Sequence, residues 1–562
     1  MKRIYSILFA SFSLLSWTSC SSYLEENPKD RLDEETAYST LSDVQKNGVL
    51  SLYNYVGGYV DSQGLQGTGR GIYDLNTFTT DEAIMPTRGG DWYDGGFWQG
   101  LYLHRWGVNN EAIYATWEYL YRTVILCNGS LERIQDFAEK HPKENVADCV
   151  AEVRALRAMF YYYIMDLFGS VPLIEKSNPE VEDIVQEKRS KVFNFIVKEL
   201  AESSSLLSKE RSNQPGVYYG RMTQPVVWFL LAKLALNAEV YTDDDWTDGS
   251  RPDGKSIFFE VEGQRLNAWQ TVNYYCEKIT AAGYTLEKDY TANFAVFNES
   301  SEENIFVIPM SKTLYTNQFI YLFRSRHYNH AKAYGLGGEN GSSATKEVLE
   351  TFGYDTPQVD ARFDYCYFAG PVKDLEGNQI LLDDGVTPLV YEPWNVALDV
   401  SGKPYEKTAG ARMKKYEVDK TGLKDGKLLD NDIVLFRYAD VLLMFAEAQN
   451  EVDATPSDAV YDAVNRVRGR VGMPTYAYGS KSQSEMREII RHERRVEFAG
   501  EGLYYNDIRR WMTAELVMNA VIQDYAGTDI AVRAFDPDRD YWWPVPADQI
   551  LLNKKLEQNP NY

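Results

Sequence analysis

Apolar residues recur every three or four positions along most of this chain, a spacing that defines helices far more often than strands. Leu41, Val44, Val49, Leu52, Tyr55 and Val56 predict a helix over 40–59 that stops around Gly57-Gly58. Helical pattern returns at 109–137 and is clearest at 151–168, where Val153, Leu156, Phe160, Tyr163, Ile164 and Leu167 form one face while Arg154, Arg157 and Tyr161 lie on another. Gly169 ends that helix and Pro172 prevents its return. A helix with two occupied faces packs between two neighbours, as in stacks of helix pairs. Further helices follow at 190–207, 223–241 and 266–282. After a broken stretch, a short apolar strand-like entry at Asp432 leads into another helix through Ala448, and 459–470 pairs with it. The predicted fold is mostly α, built of antiparallel helix pairs.

The stretch 485–511 carries the densest charge pattern. Read as a helix, it places Met486, Ile489, Ile490, Glu493, Val496 and Glu497 on one stripe, so two carboxylates point where the apolar residues point. Charges withdrawn from water need partners, and Arg494, Arg495, Arg509 and Arg510 are the candidates nearby. A structural ion-pair knot is the expectation. His492-Glu493-Arg494-Arg495-Val496 begins like a zinc-protease helix, but Val496 stands where the second ligand belongs. Glu493 and Glu497 as a glycosidase acid/base pair would both be held ionised by the arginines.

Two long segments lack periodicity. Between 61 and 106 the chain combines glycines with Trp92, Tyr93, Phe97 and Trp98, and between 284 and 430 an aromatic run includes Tyr315, Tyr321, Phe323, Tyr328 and Tyr334. Large rings on Gly-rich backbone suit an exposed binding loop better than a core. The candidate ligand-binding residues are Trp92 and Trp98 as stacking platforms with Tyr93 and Tyr73 beside them. Tyr315, Tyr321 and Tyr328 would form the opposite wall, and Asp81, Arg88 and Asp91 would be hydroxyl partners. Trp98 has a second reading, as a buried anchor for its loop.

Composition narrows the function. The 562 residues carry a formal charge of −24, which excludes a nucleic-acid partner, and 14% are aromatic, with 41 Tyr and 12 Trp. Lys2-Arg3, an apolar run from Ile4 to Leu15 and Ser16-Trp17-Thr18-Ser19-Cys20 read as a secretory signal, 1–19, ending at a lipidation site, Cys20. Cys127, Cys149, Cys276 and Cys366 remain, in helical contexts that favour buried thiols, with two disulfides as the alternative. Phosphate-loop and nucleophile-elbow motifs are absent. His327 and His330 lack a third metal ligand. The acidic turns at 243–249 and 536–540 offer oxygens that calcium would accept but lack the full loop spacing, so no cofactor is expected.

The run Arg491-His-Glu-Arg-Arg-Val-Glu-Phe-Ala-Gly-Glu-Gly-Leu-Tyr-Tyr-Asn-Asp-Ile-Arg-Arg-Trp511 closely resembles the C-terminal signature of the SusD/RagB family. Residues 151–172 look like a second hallmark of it, and Tyr541-Trp-Trp-Pro-Val-Pro546 with Leu556-Glu-Gln-Asn-Pro-Asn-Tyr562 match its closing motif. The resemblance implies a SusD-like fold with tetratricopeptide-like helix pairs and an irregular, loop-rich insertion that carries short strands and faces the ligand. It divides one body, 20–562, into an N-terminal helical part (20–283, with the aromatic loop 61–106), the insertion (284–430) and a C-terminal helical part (431–562). The implied function is that of a non-enzymatic lipoprotein on the outer-membrane surface, which binds glycan and delivers it to a SusC-like TonB-dependent transporter. Peptide or glycopeptide capture and a secreted glycoside hydrolase are the alternatives, together with a pure protein-interaction scaffold.

Overall fold

Asn110 accepts hydrogen bonds from the amides of Ala112 and Ile113 and so starts α1 (Glu111–Lys140), the longest helix among the described residues. α2 (Ala147–Phe168) follows and ends at Gly169, whose φ of 77° stops it. Next come α3 (Arg189–Ser204), α4 (Gln224–Leu236), which opens on Pro225, and α5 (Ala268–Ala281), which opens on a capping box between Asn267 and Gln270. The chain then leaves through strand β1 (Asn304–Ile308) and returns through β2 (Ile433–Arg437), which pairs antiparallel with it, Ile433 opposite Ile308 and Val434 opposite Val307. β2 runs straight into α6 (Tyr438–Val452), followed by α7 (Asp458–Arg470), α8 (Gln483–Glu497) and α9 (Tyr504–Trp511).

This computed structural model describes residues 37–58, 63–314, 321–422, 428–513, 521–523, 529–532 and 535–562. Residues 1–19, expected to be a secretory signal, and Cys20 lie outside the described residues. Each scaffold helix packs on the next, α1 on α2, α2 on α3, α3 on α4, α4 on α5, and α5 then skips the insertion to pack on α6, which meets both α7 and α8. The stack explains why the sequence of α2 is apolar nearly all round: it lies between α1 and α3, and its Arg154 and Arg157 pair with Glu199 of α3. One hydrophobic core runs through the chain from Val44 to Leu556.

Two expectations are corrected. The helix expected over 40–59 is a chain of short α, π and 3₁₀ turns ending at Tyr55. The 485–511 stretch is two helices, because the chain turns at Gly500 and Gly502, both at positive φ, and a side chain at Gly502 would come within 3.0 Å of the Tyr73 ring. The four cysteines other than Cys20 are free and buried.

Candidate functional site

The loop after residue 63 is anchored at its base and open at its tip. Helix Ile72–Phe78 is wholly buried and packs on α9. Ala83–Ile84 pairs with Ser343–Ala344 of the insertion, and Thr87 exchanges backbone hydrogen bonds of 2.9 Å with Leu398 and Val400. Arg88 and Asp91 then close a two-residue hairpin, amide to carbonyl at 3.0 and 3.2 Å, over Gly89 and Gly90 at φ 64° and 99°.

Trp92 follows at φ 65°, a left-handed backbone that costs a residue with a side chain about 1–2 kcal/mol. Three contacts hold it there. Its indole Nε1 donates to the Glu339 carbonyl at 3.0 Å, its ring meets Trp98 edge-on at 6.2 Å, and it lies so close to Gly341 that a Cβ there would come within 2.7 Å of Cε2. Asp94 accepts from the Trp98 Nε1 at 2.9 Å and from Arg70 at 2.8 Å, while the Arg70 guanidinium stands 4.5 Å over Phe97.

From the insertion, helix Tyr328–Ala333 delivers Tyr328, whose hydroxyl reaches the Asp91 carboxylate at 3.5 Å. Asp91, Trp92, Asp94, Tyr328 and Glu339 line an open depression of about 260 Å³. Tyr328 is 42% exposed and neighbouring Tyr93 52%. Partial burial, and then the charge of Asp91, raise the Tyr328 phenol above its usual value, so it stays a hydrogen-bond donor at neutral pH. Rings flanked by carboxylate acceptors can hold a polyol that presents an apolar face and a hydroxylated edge.

Sequence reasoning placed Trp92, Asp91 and Tyr328 in one site, and the fold brings them together. Other candidates are corrected. Trp98 is 3% exposed and serves as the anchor beneath Trp92. Tyr73 is buried with its hydroxyl on the Gly500 carbonyl. Asp81 is buried in an ion pair with Arg495 at 2.6 Å. Arg88 is buried behind the hairpin, donating to the carbonyls of Gly341, Glu406 and Ala409 and to the Ser343 hydroxyl, and burial together with Arg412 lowers its pKa. Tyr315 and the side chain of Tyr321 lie outside the described residues. Asp94 and Glu339 were missed; each is an acid beside paired glycines in an aperiodic segment, which was the available signal.

The knot on α8 is present with different partners from those expected. Glu493 pairs with Arg362 at 2.6 Å and Arg468 at 2.7 Å, and Glu497 with Arg362 at 2.9 Å, Arg437 at 2.6 Å and also Arg470. The helix's own arginines point elsewhere: Arg494 to Asp440 and Asp507, and Arg495 to Asp81. On α9, Arg509 pairs with Asp166 and Arg510 with Glu447. A helix with charged residues on opposite faces is thereby tied to the scaffold on one side and to the base of the loop on the other. His327 and His330 are buried, His330 on the Tyr391 hydroxyl at 2.9 Å. The oxygens of Asp245 and Asp536 cap their own turns, and among the described residues no group of three His, Cys, Asp or Glu side chains is placed to hold a metal.

A family model described as the SusD family matches residues 272–562, and one described as starch-binding, associating with the outer membrane, matches 69–236. The starch-binding protein SusD of Bacteroides thetaiotaomicron is 23% identical over 611 residues, spanning 100% of this chain and 99% of that protein. A SusD-like protein of Formosa agariphila is 24% identical over 573 residues, spanning 99% and 98%. Among solved structures, a SusD-like carbohydrate binding protein from Bacteroides fragilis superposes with a TM-score of 0.71 at 22% identity, covering 93% of this chain and all of that one. Surface glycan-binding protein A from Bacteroides thetaiotaomicron, solved in complex with laminarihexaose, superposes at 0.66 with 19% identity, covering 93% and 99%.

Proposed function

The chain belongs to the SusD family, and on that premise we propose that it is a glycan-capture protein of the outer-membrane surface. In this reading Cys20 carries the lipid anchor, the depression at Trp92 holds a segment of oligo- or polysaccharide, and a SusC-like TonB-dependent transporter receives it. The observation that carries the reading is the convergence of Trp92 and Tyr328 on one open depression from segments far apart in sequence. Relatives whose names specify starch or glycan binding support the ligand class. Trp92 offers its partly buried ring to a sugar face, Tyr328 donates from the opposite wall, and Asp91 and Asp94 accept from hydroxyls, with Trp98 and Arg70 holding the tip in shape. Capture without cleavage is the proposed chemistry.

The test is affinity electrophoresis of the purified protein against host, plant and fungal polysaccharides, with reducing ends assayed in the bound mixtures. Retardation by at least one polysaccharide with no rise in reducing ends is expected. Accumulating reducing ends would make the protein a hydrolase, and binding of peptides with no glycan bound would move the ligand class.

A further inference from the structure

We propose that Gly341 is a positioning residue of the glycan site: its lack of a side chain seats the Trp92 ring where a sugar face can reach it, and a larger residue there unseats the ring. This deepens the glycan-capture reading and rests on it. The Gly341 backbone does not itself call for glycine, since its φ lies outside the left-handed range that residues with side chains avoid. What glycine supplies is room. A Cβ at position 341 would come within 2.7 Å of Trp92 Cε2, 2.8 Å of its Cζ2 and 2.9 Å of the Met85 sulfur. Carbon atoms in contact stand about 3.5–4.0 Å apart, so a methyl group there forces a displacement of about 1 Å.

The strip around Gly341 is pinned and cannot retreat. Its amide donates to the Arg324 carbonyl at 2.7 Å, the Asn340 amide donates to the Arg326 carbonyl at 2.8 Å, and the Gly341 carbonyl accepts from Arg88 Nε at 3.4 Å and Nη2 at 3.3 Å. Arg324 is fixed in turn by a buried ion pair with Asp74 at 2.6 Å, and Ser343–Ala344 just beyond pairs with Ala83–Ile84. The unbranched chain of Met85 can turn aside. Trp92 borders the open depression, so its ring is the part with space to move into. Cε2 is bonded to Nε1, and the edge pushed is therefore the one that donates to the Glu339 carbonyl at 3.0 Å. Displacement weakens that bond and removes one of the contacts that hold Trp92 at φ 65°. A ring no longer held loses the preorganised surface on which stacking depends.

The experiment uses the full chain and the polysaccharide bound best in the panel. Affinity by calorimetry and melting temperature are measured for the native protein, Gly341→Ala, Trp92→Ala and the double variant Trp92→Ala/Gly341→Ala. Gly341→Ala is expected to weaken binding about fivefold or more when Trp92 is present and less than about twofold when it is absent, a coupling that a merely structural role would not produce. Full affinity in a folded Gly341→Ala, or the same loss in both backgrounds, would overturn the inference and leave glycan capture standing. Should Gly341→Ala fail to fold, the double variant decides: a fold recovered once the indole is gone supports the collision with Trp92, and a double variant that also fails to fold overturns it. Failure of the native protein to bind any polysaccharide would overturn the capture reading, and this inference with it.

Discussion

Glu497 shows how much one buried charge can organise. Burial alone would raise its pKa, yet Arg470, Arg437 and Arg362 outweigh that and hold it well below the usual carboxylate range. A depressed folded-state pKa means the stabilisation is present above the unfolded value near 4.5 and is lost as pH falls below it. Glu497→Ala removes the acid that three buried arginines share and leaves their charge under-compensated, which costs about 3–5 kcal/mol; thermal denaturation should register the loss, and an unchanged melting temperature would contradict the buried network. The presence of paired acids on α8 was legible in the sequence because they fall on an apolar stripe. Their partners were not, because Arg362 and Arg437 lie far off in the chain and reach Glu497 only through the packing of the insertion and β2. Trp98 was ambiguous for a related reason: an aperiodic, Gly-rich loop carries no pattern that says which ring turns inward.

Among elements, the join between α8 and the loop base carries most of the site's support. Arg495 pairs with Asp81, the Gly500 amide donates to the Glu82 carboxylate, and the Tyr73 hydroxyl donates to the Gly500 carbonyl. The family signature, read as a structural knot, therefore also seats the loop that presents Trp92. Glu82 pays a cost there: burial, opposed by the Gly500 amide, raises its pKa from 4.5 to about 7. With the folded value above the unfolded one, its contribution to stability is complete below pH 4.5 and is lost as pH rises through about 7. Glu82→Gln cannot ionise, so its melting temperature should fall less than the native protein's between pH 5 and pH 8. Parallel curves for the two proteins would show that Glu82 does not titrate in this range. The stacked scaffold helices were legible to within a few residues, because each has a buried face of its own, whereas the short helices Ile72–Phe78 and Tyr328–Ala333 were not; the break at Gly500–Gly502 was hidden by a charge pattern that continues across it.

For the whole molecule, the scaffold of stacked helices leaves and re-enters through β1 and β2, so the insertion can be irregular without unfolding the stack. That arrangement lets a periodic helical frame present a depression made of residues from aperiodic segments, which is why the fold was readable from sequence and the depression only in part. Anchoring belongs to this scale as well. Cys20→Ala should release the protein from the membrane fraction, and a variant still membrane-bound and acylated would contradict lipidation at Cys20. The central claim is that glycan docks on Trp92, and calorimetric titration of Trp92→Ala beside the native protein, with the best-bound polysaccharide, tests it most directly. A loss of at least tenfold in affinity, equivalent to about 1.4 kcal/mol, with the melting temperature nearly unchanged, is the predicted result; full affinity in a folded Trp92→Ala would contradict it.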